Sequence, residues 1–275
     1  MTRERIDWAN TLFLILTPII AIVGIAALYI TGHGVHWATW LLGLVMAGLT
    51  GLSITAGYHR LFSHRTYQAA WPIRLVLLLF GAASFENSCR KWCSDHRVHH
   101  QHVDKDEDPY NIKRGFWYAH MGWILVKKVP DPTYDNVRDL ERDPLVALQD
   151  KFYLPIAVIF GFGLPTAIAA LWGDALGGFF VAGVARVVMN HHATFLINSF
   201  CHKLGTQPYS DKDSSRDSWL MALLTYGEGY HNFHHKFPTD YRNGIRAYHF
   251  DPSKWFIFAM EKIGLASRLR RVPEE

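Results

Sequence analysis

The chain has 275 residues, 49% of them hydrophobic and 14% aromatic, with 28 Lys and Arg against 24 Asp and Glu for a formal charge of +4. That length fits one domain, the apolar share is high for a soluble enzyme of this size, and so small a basic excess does not by itself indicate nucleic acid as a partner. Three cysteines, Cys89, Cys93 and Cys201, have neither zinc nor iron-sulfur spacing, and their odd number argues against a disulfide framework and for a reducing compartment; sixteen histidines exceed any requirement of folding and point to metal or pH chemistry.

Residues 11–31, TLFLILTPIIAIVGIAALYIT, carry no charge over the length needed to cross a bilayer core. Arg3, Glu4, Arg5 and Asp7 precede them without a signal-peptide cleavage pattern, so a retained transmembrane helix is predicted. A second span covers 37–58 and ends at Tyr58-His59; its Gly43, Gly48, Gly51 and Gly57 suit close packing or a ligand channel. Within the polar block 59–151, only 71–85, WPIRLVLLLFGAASF, is apolar, and it is too short to span, so an interfacial or re-entrant helix is expected there. Spans at 152–172 and 175–200 follow, joined by the turn Gly173-Asp174. The tail from 264 reads as a short basic end, solvated or on the lipid surface.

The predicted fold is all-α and membrane-integral: one domain over 1–275, with four transmembrane helices in two hairpins and a helical cap from 59–151 and 203–275. Lys and Arg number 2 before residue 11, 14 in 59–151, 1 in the last span and 11 after 202, and neither hairpin tip carries any. The positive-inside rule then places the cap and both termini on the cytoplasmic side. A soluble bundle of four buried helices is the competing reading, disfavoured by the run lengths.

HRVHH at 96–100 and HNFHH at 231–235 repeat one spacing. Positions i, i+3 and i+4 share a helix face, so His96, His99 and His100 are expected to converge, as are His231, His234 and His235. His59 and His64 are five apart, about 140° around an α-helix, and share a site only if the helix ends between them. Asn198 and His202 stand at i and i+4 on a last helix about 42 Å long, longer than the roughly 30 Å hydrocarbon core, so its end projects into the cap. Nine histidines exceed the four ligands of zinc or the six of an octahedral ion, which suits two metals with open positions; imidazole fits iron, zinc or copper alike.

Only one ExxH spacing occurs, Glu228 to His231, so a carboxylate-bridged bundle site is not expected. Glu228, Asp95 and the acidic run Asp104, Asp106, Glu107 and Asp108 read instead as groups that orient ligands, with solvated charge as the alternative for the run. His102 and His120 are placed with them. His33 and His36 fall on the far side of the membrane and His249 on the surface, while Arg186, His191 and His192 are assigned to packing or a tunnel wall, not to ligation.

HRLFSH at 59–64, HRVHH, NSFCH at 198–202 and GEGYHNFHHKFP around the last triplet, with EDPYNIKRGFWYAHMGW at 107–123, closely resemble the histidine boxes of membrane fatty acyl desaturases of the stearoyl-CoA Δ9 type, over nearly the whole chain. The resemblance implies two iron ions on His59, His64, His96, His99, His100, His202, His231, His234 and His235, with Asn198 holding a metal-bound water. It implies O₂ as co-substrate and removal of two hydrogens from a saturated acyl chain to give a cis double bond. Thr194 and Phe195 are implied as tunnel wall, and Asn87, Trp92, Asp95, Lys127 and Lys128 as coenzyme A contacts. Ser94 replaces an Arg of the animal members, so Arg90 and Lys91 substitute for it or the substrate is an acyl-lipid; Lys127 and Lys128 also suit a membrane-surface anchor.

Ala47, Gly48 and Gly51 leave space along the second helix, so chains at least as long as stearoyl are expected. The chain stops about 40 residues after the last box with no fused haem domain, so electrons are expected from a separate ferredoxin, rubredoxin or cytochrome b5 with its reductase. Related readings are a membrane di-iron hydroxylase or ketolase and, from another class, a metal transporter, which would place its ligands near the bilayer midplane.

Overall fold

The computed structural model describes residues 3–129 and 133–272. In chain order its main helices are α1 (Trp8–Ile30), α2 (Trp37–Ser63), α3 (Trp71–Ala82), α4 (Cys89–His102), α5 (Phe116–His120), α6 (Pro144–Lys151), α7 (Tyr153–Ala170), α8 (Ala175–His202), α9 (Trp219–Leu224), α10 (His231–Lys236) and α11 (Pro252–Lys262). Four of them, α1, α2, α7 and α8, are long and apolar enough to cross a membrane.

The first half of α8 lies at the centre of the four. Gly24 of α1 gives its space to the Phe180 ring, Gly43 of α2 faces Val181 and Ala182, and Gly178 of α8 sits against Ala169 and Pro165 of α7. Helices in lipid have little hydrophobic drive to associate, so small residues that admit a neighbour at van der Waals distance decide which faces meet. At the far end, the Asp174 carboxylate accepts hydrogen bonds from the His36 and Gly177 N–H groups and the Thr39 hydroxyl, which ties the two interhelical loops together.

α2 does not end at Tyr58-His59. It continues to Ser63 because its cap-side half, Ser53–Ser63, winds wide with hydrogen bonds five residues apart, a pattern that His64 N–H to His59 O (3.0 Å) extends by one residue. Every residue of that segment is buried. α3 is too short to span, and α8 takes up the carbonyls beyond its end: Arg186 donates to Ala83 O (2.7 Å) and His191 to Ser84 O (2.9 Å). Carbonyls past a helix end inside a membrane need such donors.

Two short antiparallel ribbons close the cap: Arg3–Ile6 (β1) pairs with Val126–Val129 (β3), and Gln68–Ala69 (β2) with Ala266–Ser267 (β4). The tail from 264 keeps Arg268, Arg270 and Arg271 exposed, as expected of a basic end, but its backbone is paired. Arg270 N–H donates to Thr66 O (2.8 Å), Tyr241 N–H to Arg270 O (3.0 Å) and Val272 N–H to Asp240 Oδ2 (2.8 Å), so the main chain is held to the cap while the side chains face outward.

Candidate metal centre

The nine predicted histidines converge, in two sets. His59, His64, His96, His100 and His234 form one; His99, His202, His231 and His235 form the other, and within each set the ligand atoms lie within 4.8 Å of one another. The triplets expected to act as units are each divided. At about 100° per residue, i+4 lies about 40° to one side of i and i+3 about 60° to the other, so a helix between two centres sends i and i+4 one way and i+3 the other. α4 gives His96 and His100 to the five-histidine set and His99 to the four; α10 gives His231 and His235 to the four and His234 to the five. The helix end invoked to unite His59 with His64 is not needed. In a helix bonded five residues apart, positions five apart come into register, and the two rings stand 4.9 Å apart.

Nε2 atoms face one another throughout: His59 to His234 at 3.0 Å, His64 to His96 at 2.8 Å, His100 to His234 at 3.0 Å, His202 to His231 at 3.0 Å and His231 to His235 at 3.0 Å. Several Nδ1 atoms meet acceptors on the other side. His59 Nδ1 is 2.8 Å from Glu228 Oε2, His99 Nδ1 is 2.9 Å from Asp108 Oδ1, and His96 Nδ1 is 3.2 Å from the Tyr110 hydroxyl. His202 Nδ1 donates to Ser214 Oγ (2.8 Å), whose hydroxyl donates in turn to Asp104 Oδ1 (2.6 Å).

A carboxylate fixes the proton on Nδ1 and leaves Nε2 a lone pair. Lone pairs facing each other at about 3 Å are not hydrogen bonds, but they are the edge of a coordination polyhedron with metal–nitrogen bonds of about 2.1 Å. Burial, then the neighbouring imidazoles, holds His96, His100, His231, His234 and His235 well below the usual histidine value, so they stay neutral as ligands must. The donor set fits a pair of first-row metal ions.

Behind His59 lies a buried ion network that the sequence did not advertise. Arg60 is fully buried and donates to Glu228 Oε1 (2.9 Å), to Asp251 Oδ2 (3.1 Å) and to Tyr241 O (2.9 Å), while Asn243 Nδ2 donates to Glu228 Oε2 (2.6 Å). Burial alone would raise the Glu228 carboxyl, yet His59 and Arg60 together hold it below the ordinary value. Arg60 thus braces His59 through Glu228, although in the sequence it is one more charge of the block 59–151.

The acidic run divides. Asp104 and Asp108 orient His202 and His99, whereas Asp106 and Glu107 are exposed. Asp95 pairs with Lys91 (2.9 Å) and is not a ligand's acceptor. His120 bonds Ser199 Oγ (3.0 Å) and His192 Nδ1 (3.1 Å) in place of any of the nine. His102 stands 4.0 Å from Glu107, on the exposed side.

A cavity of about 420 Å³ passes the centre. Asn87, Trp92, Asp95 and Lys127 line its cap side; the Lys128 side chain lies outside the described residues. His59, His96, His99, His231 and Asn198 face it at mid-course, with Thr194 and Phe195. Glu86, which sequence reasoning missed, accepts hydrogen bonds from Thr194 Oγ1 (2.9 Å) and Trp92 Nε1 (3.3 Å). Burial pushes its carboxyl up to about 7 against those two bonds. Of the space expected along α2, that at Gly51 is taken: the Tyr226 ring lies where its side chain would go, 2.2 Å from an ideal Cβ, and Ala47 is buried beneath the Tyr226 hydroxyl, whereas a Cβ at Gly48 would meet nothing within 4 Å.

A model of the fatty acid desaturase family matches residues 35–255. The chain is 44% identical over 273 residues to a probable acyl-CoA desaturase of Schizosaccharomyces pombe, covering 98% of this chain and 56% of that protein. It is 41% identical to acyl-CoA desaturase 1 of Saccharomyces cerevisiae (98% and 52%) and 36% identical to stearoyl-CoA desaturase 5 of Bos taurus (99% and 82%). It therefore spans about half the length of the two fungal relatives and most of the bovine one.

Proposed function

We propose that this chain, which belongs to the fatty acid desaturase family, introduces a cis double bond at the Δ9 position of a saturated fatty acyl-CoA, with O₂ as co-substrate and two irons on the nine histidines. The observation that carries this reading is the division of those histidines into two interlocked sets beside a cavity whose course runs on into the membrane-spanning helices. When bound, the iron pair supplies the redox chemistry that couples O₂ reduction to removal of two hydrogens from adjacent methylenes.

The chain's own residues do the rest. Glu228, Asp108 and the Ser214–Asp104 relay keep the Nδ1 protons of His59, His99 and His202 in place, so that Nε2 remains a ligand atom. Asn198 faces the cavity beside His99 and His231, where its amide can hold a water. Thr194, Phe195 and Trp92 form walls that exclude bulk water and restrict which methylene pair reaches the centre. Lys127 and Lys128, with Asn87 and Asp95, suit a coenzyme A headgroup at the cap. The cap is assigned to the cytoplasmic side, where a ferredoxin, a rubredoxin or a cytochrome b5 would deliver electrons.

Expression in a desaturase-deficient host, followed by mass spectrometry of membrane acyl chains, tests the reading. The expected result is new Δ9 monounsaturation that disappears in His99→Ala. Hydroxylated chains would favour the related hydroxylase, and no new product with any supplied donor would overturn the assignment.

A further inference from the structure

The cavity does not end at the centre. A small extension of about 20 Å³ shares Ile54, Thr55, Glu86, Thr194 and Ile197 with it and adds Gly51, Asn190 and Tyr226. Gly51 lies eight residues before His59 on α2, and Asn190 eight before Asn198 on α8. The extension thus reaches past the centre on the side away from the cap, between α2 and α8. Its volume holds little more than one water-sized group.

Tyr226 closes it from a different element. The residue lies two positions past the end of α9, and its backbone adopts φ 56°, a left-handed conformation that non-glycine residues seldom occupy. Gly227 follows at φ 99°, with a Cβ at its position falling 2.5 Å from Asp251 Oδ1, so the loop is pressed against the buried acid that also holds Arg60. Ser253 Oγ donates to Tyr226 O (3.1 Å) and lies 2.6 Å from Thr55 Oγ1, and the phenol hydroxyl donates to Ala47 O (3.0 Å). Backbone and ring are each anchored to α2.

We propose that Tyr226 is the stop that sets the length of acyl chain accepted beyond the centre, its ring occupying the groove that Gly51 leaves in α2. The position of the ring follows from an uncommon backbone conformation held by three separate contacts, so it acts as a fixed wall and not as a mobile side chain. This assignment rests on the acyl desaturase reading for its substrate and on the geometry alone for its location.

The test uses the full metal-loaded chain with saturated acyl-CoAs of 14 to 20 carbons, read in two ways: turnover, and thermal stabilisation on binding without electron donor. Tyr226→Ala should raise the ratio of kcat/KM for 18 over 16 carbons about tenfold, the scale on which an apolar pocket discriminates methylenes, and move the best-stabilising ligand to a longer chain. Tyr226→Phe should keep the wild-type ranking, and Tyr226→Leu, a milder truncation should the alanine variant not fold, should shift it part of the way. Gly51→Ala should lower Tm, and Tyr226→Ala should relieve that loss. Rankings unchanged in both readouts for a folded Tyr226→Ala or Tyr226→Leu would overturn the stop. Length-dependent binding that shifts with Tyr226 but no turnover would uphold the stop and sink the desaturase reading; no stabilisation of wild type by any length would overturn both.

Discussion

The two histidine sets share α4 and α10 yet are held in place differently. In the five-histidine set, His59 is fixed through Glu228 to Arg60 and Asp251, all buried in the base of the cap. In the four-histidine set, support comes from two loops: Asp108 on His99, the Ser214–Asp104 relay on His202, and Asp213, 20% exposed, standing 3.9 Å from His235. One set is tied to the buried base of the cap, while the other has fewer ligands, takes its support from loops and shares the cavity wall with Asn198. The difference lies in where the bracing comes from, the core in one case and loops in the other.

Removing ligands gives the largest effect. His202→Ala takes one of four and should lower bound iron from about two to about one per chain, with product formation reduced by more than about 100-fold. His64→Ala leaves four in its set and should retain more metal; equal losses by elemental analysis would break the comparison. Arg60→Met leaves Glu228 and Asp251 buried without their cation and should cost about 3–5 kcal/mol in thermal unfolding. A loss near 1 kcal/mol would mean that the network is not the anchor.

Glu86 supplies the contrast of a buried carboxyl with no cation beside it. Its folded value of about 7 exceeds the ordinary 4.5, so the folded state binds the proton more tightly. The resulting stabilisation is full below pH 4.5 and is lost as pH rises toward 7. Glu86→Gln should remove that slope, on the order of 3 kcal/mol across the window, measured as Tm at pH 5 and 7.5; an unchanged slope would assign it to other groups. Asp108→Asn should weaken metal retention about 10- to 100-fold, whereas Asp106→Asn should stay within about twofold. Parity between those two variants would return the whole acidic run to surface charge.

Much of this was legible in advance because hydropathy runs and one over-used residue type are local signals. The four apolar helices, the convergence of nine histidines and an excess of ligands over what one metal takes required no knowledge of packing. The partition within each triplet was not legible, because three residues on one helix face say nothing about how many centres that face meets. Nor was the wide winding of Ser53–Ser63, a segment that packs against α3 where Gly57 approaches Leu77. Arg60 entered only the charge count of 59–151, since burial of a cation is decided by partners 168 and 191 residues away, Glu228 and Asp251. Tyr226 carried no signal at all: its role depends on a space left by Gly51.

The exchange of ligands between α4 and α10 also couples the two sets. Four of the five histidines in one set, His59, His64, His96 and His100, lie before α5 in the chain, and three of the four in the other, His202, His231 and His235, lie beyond the turn at Gly173-Asp174. His99 and His234 are the exceptions, each crossing from its own region into the other's set. Neither set is complete until α10 meets α4, so closure of the cap and completion of both ligand sets are a single event.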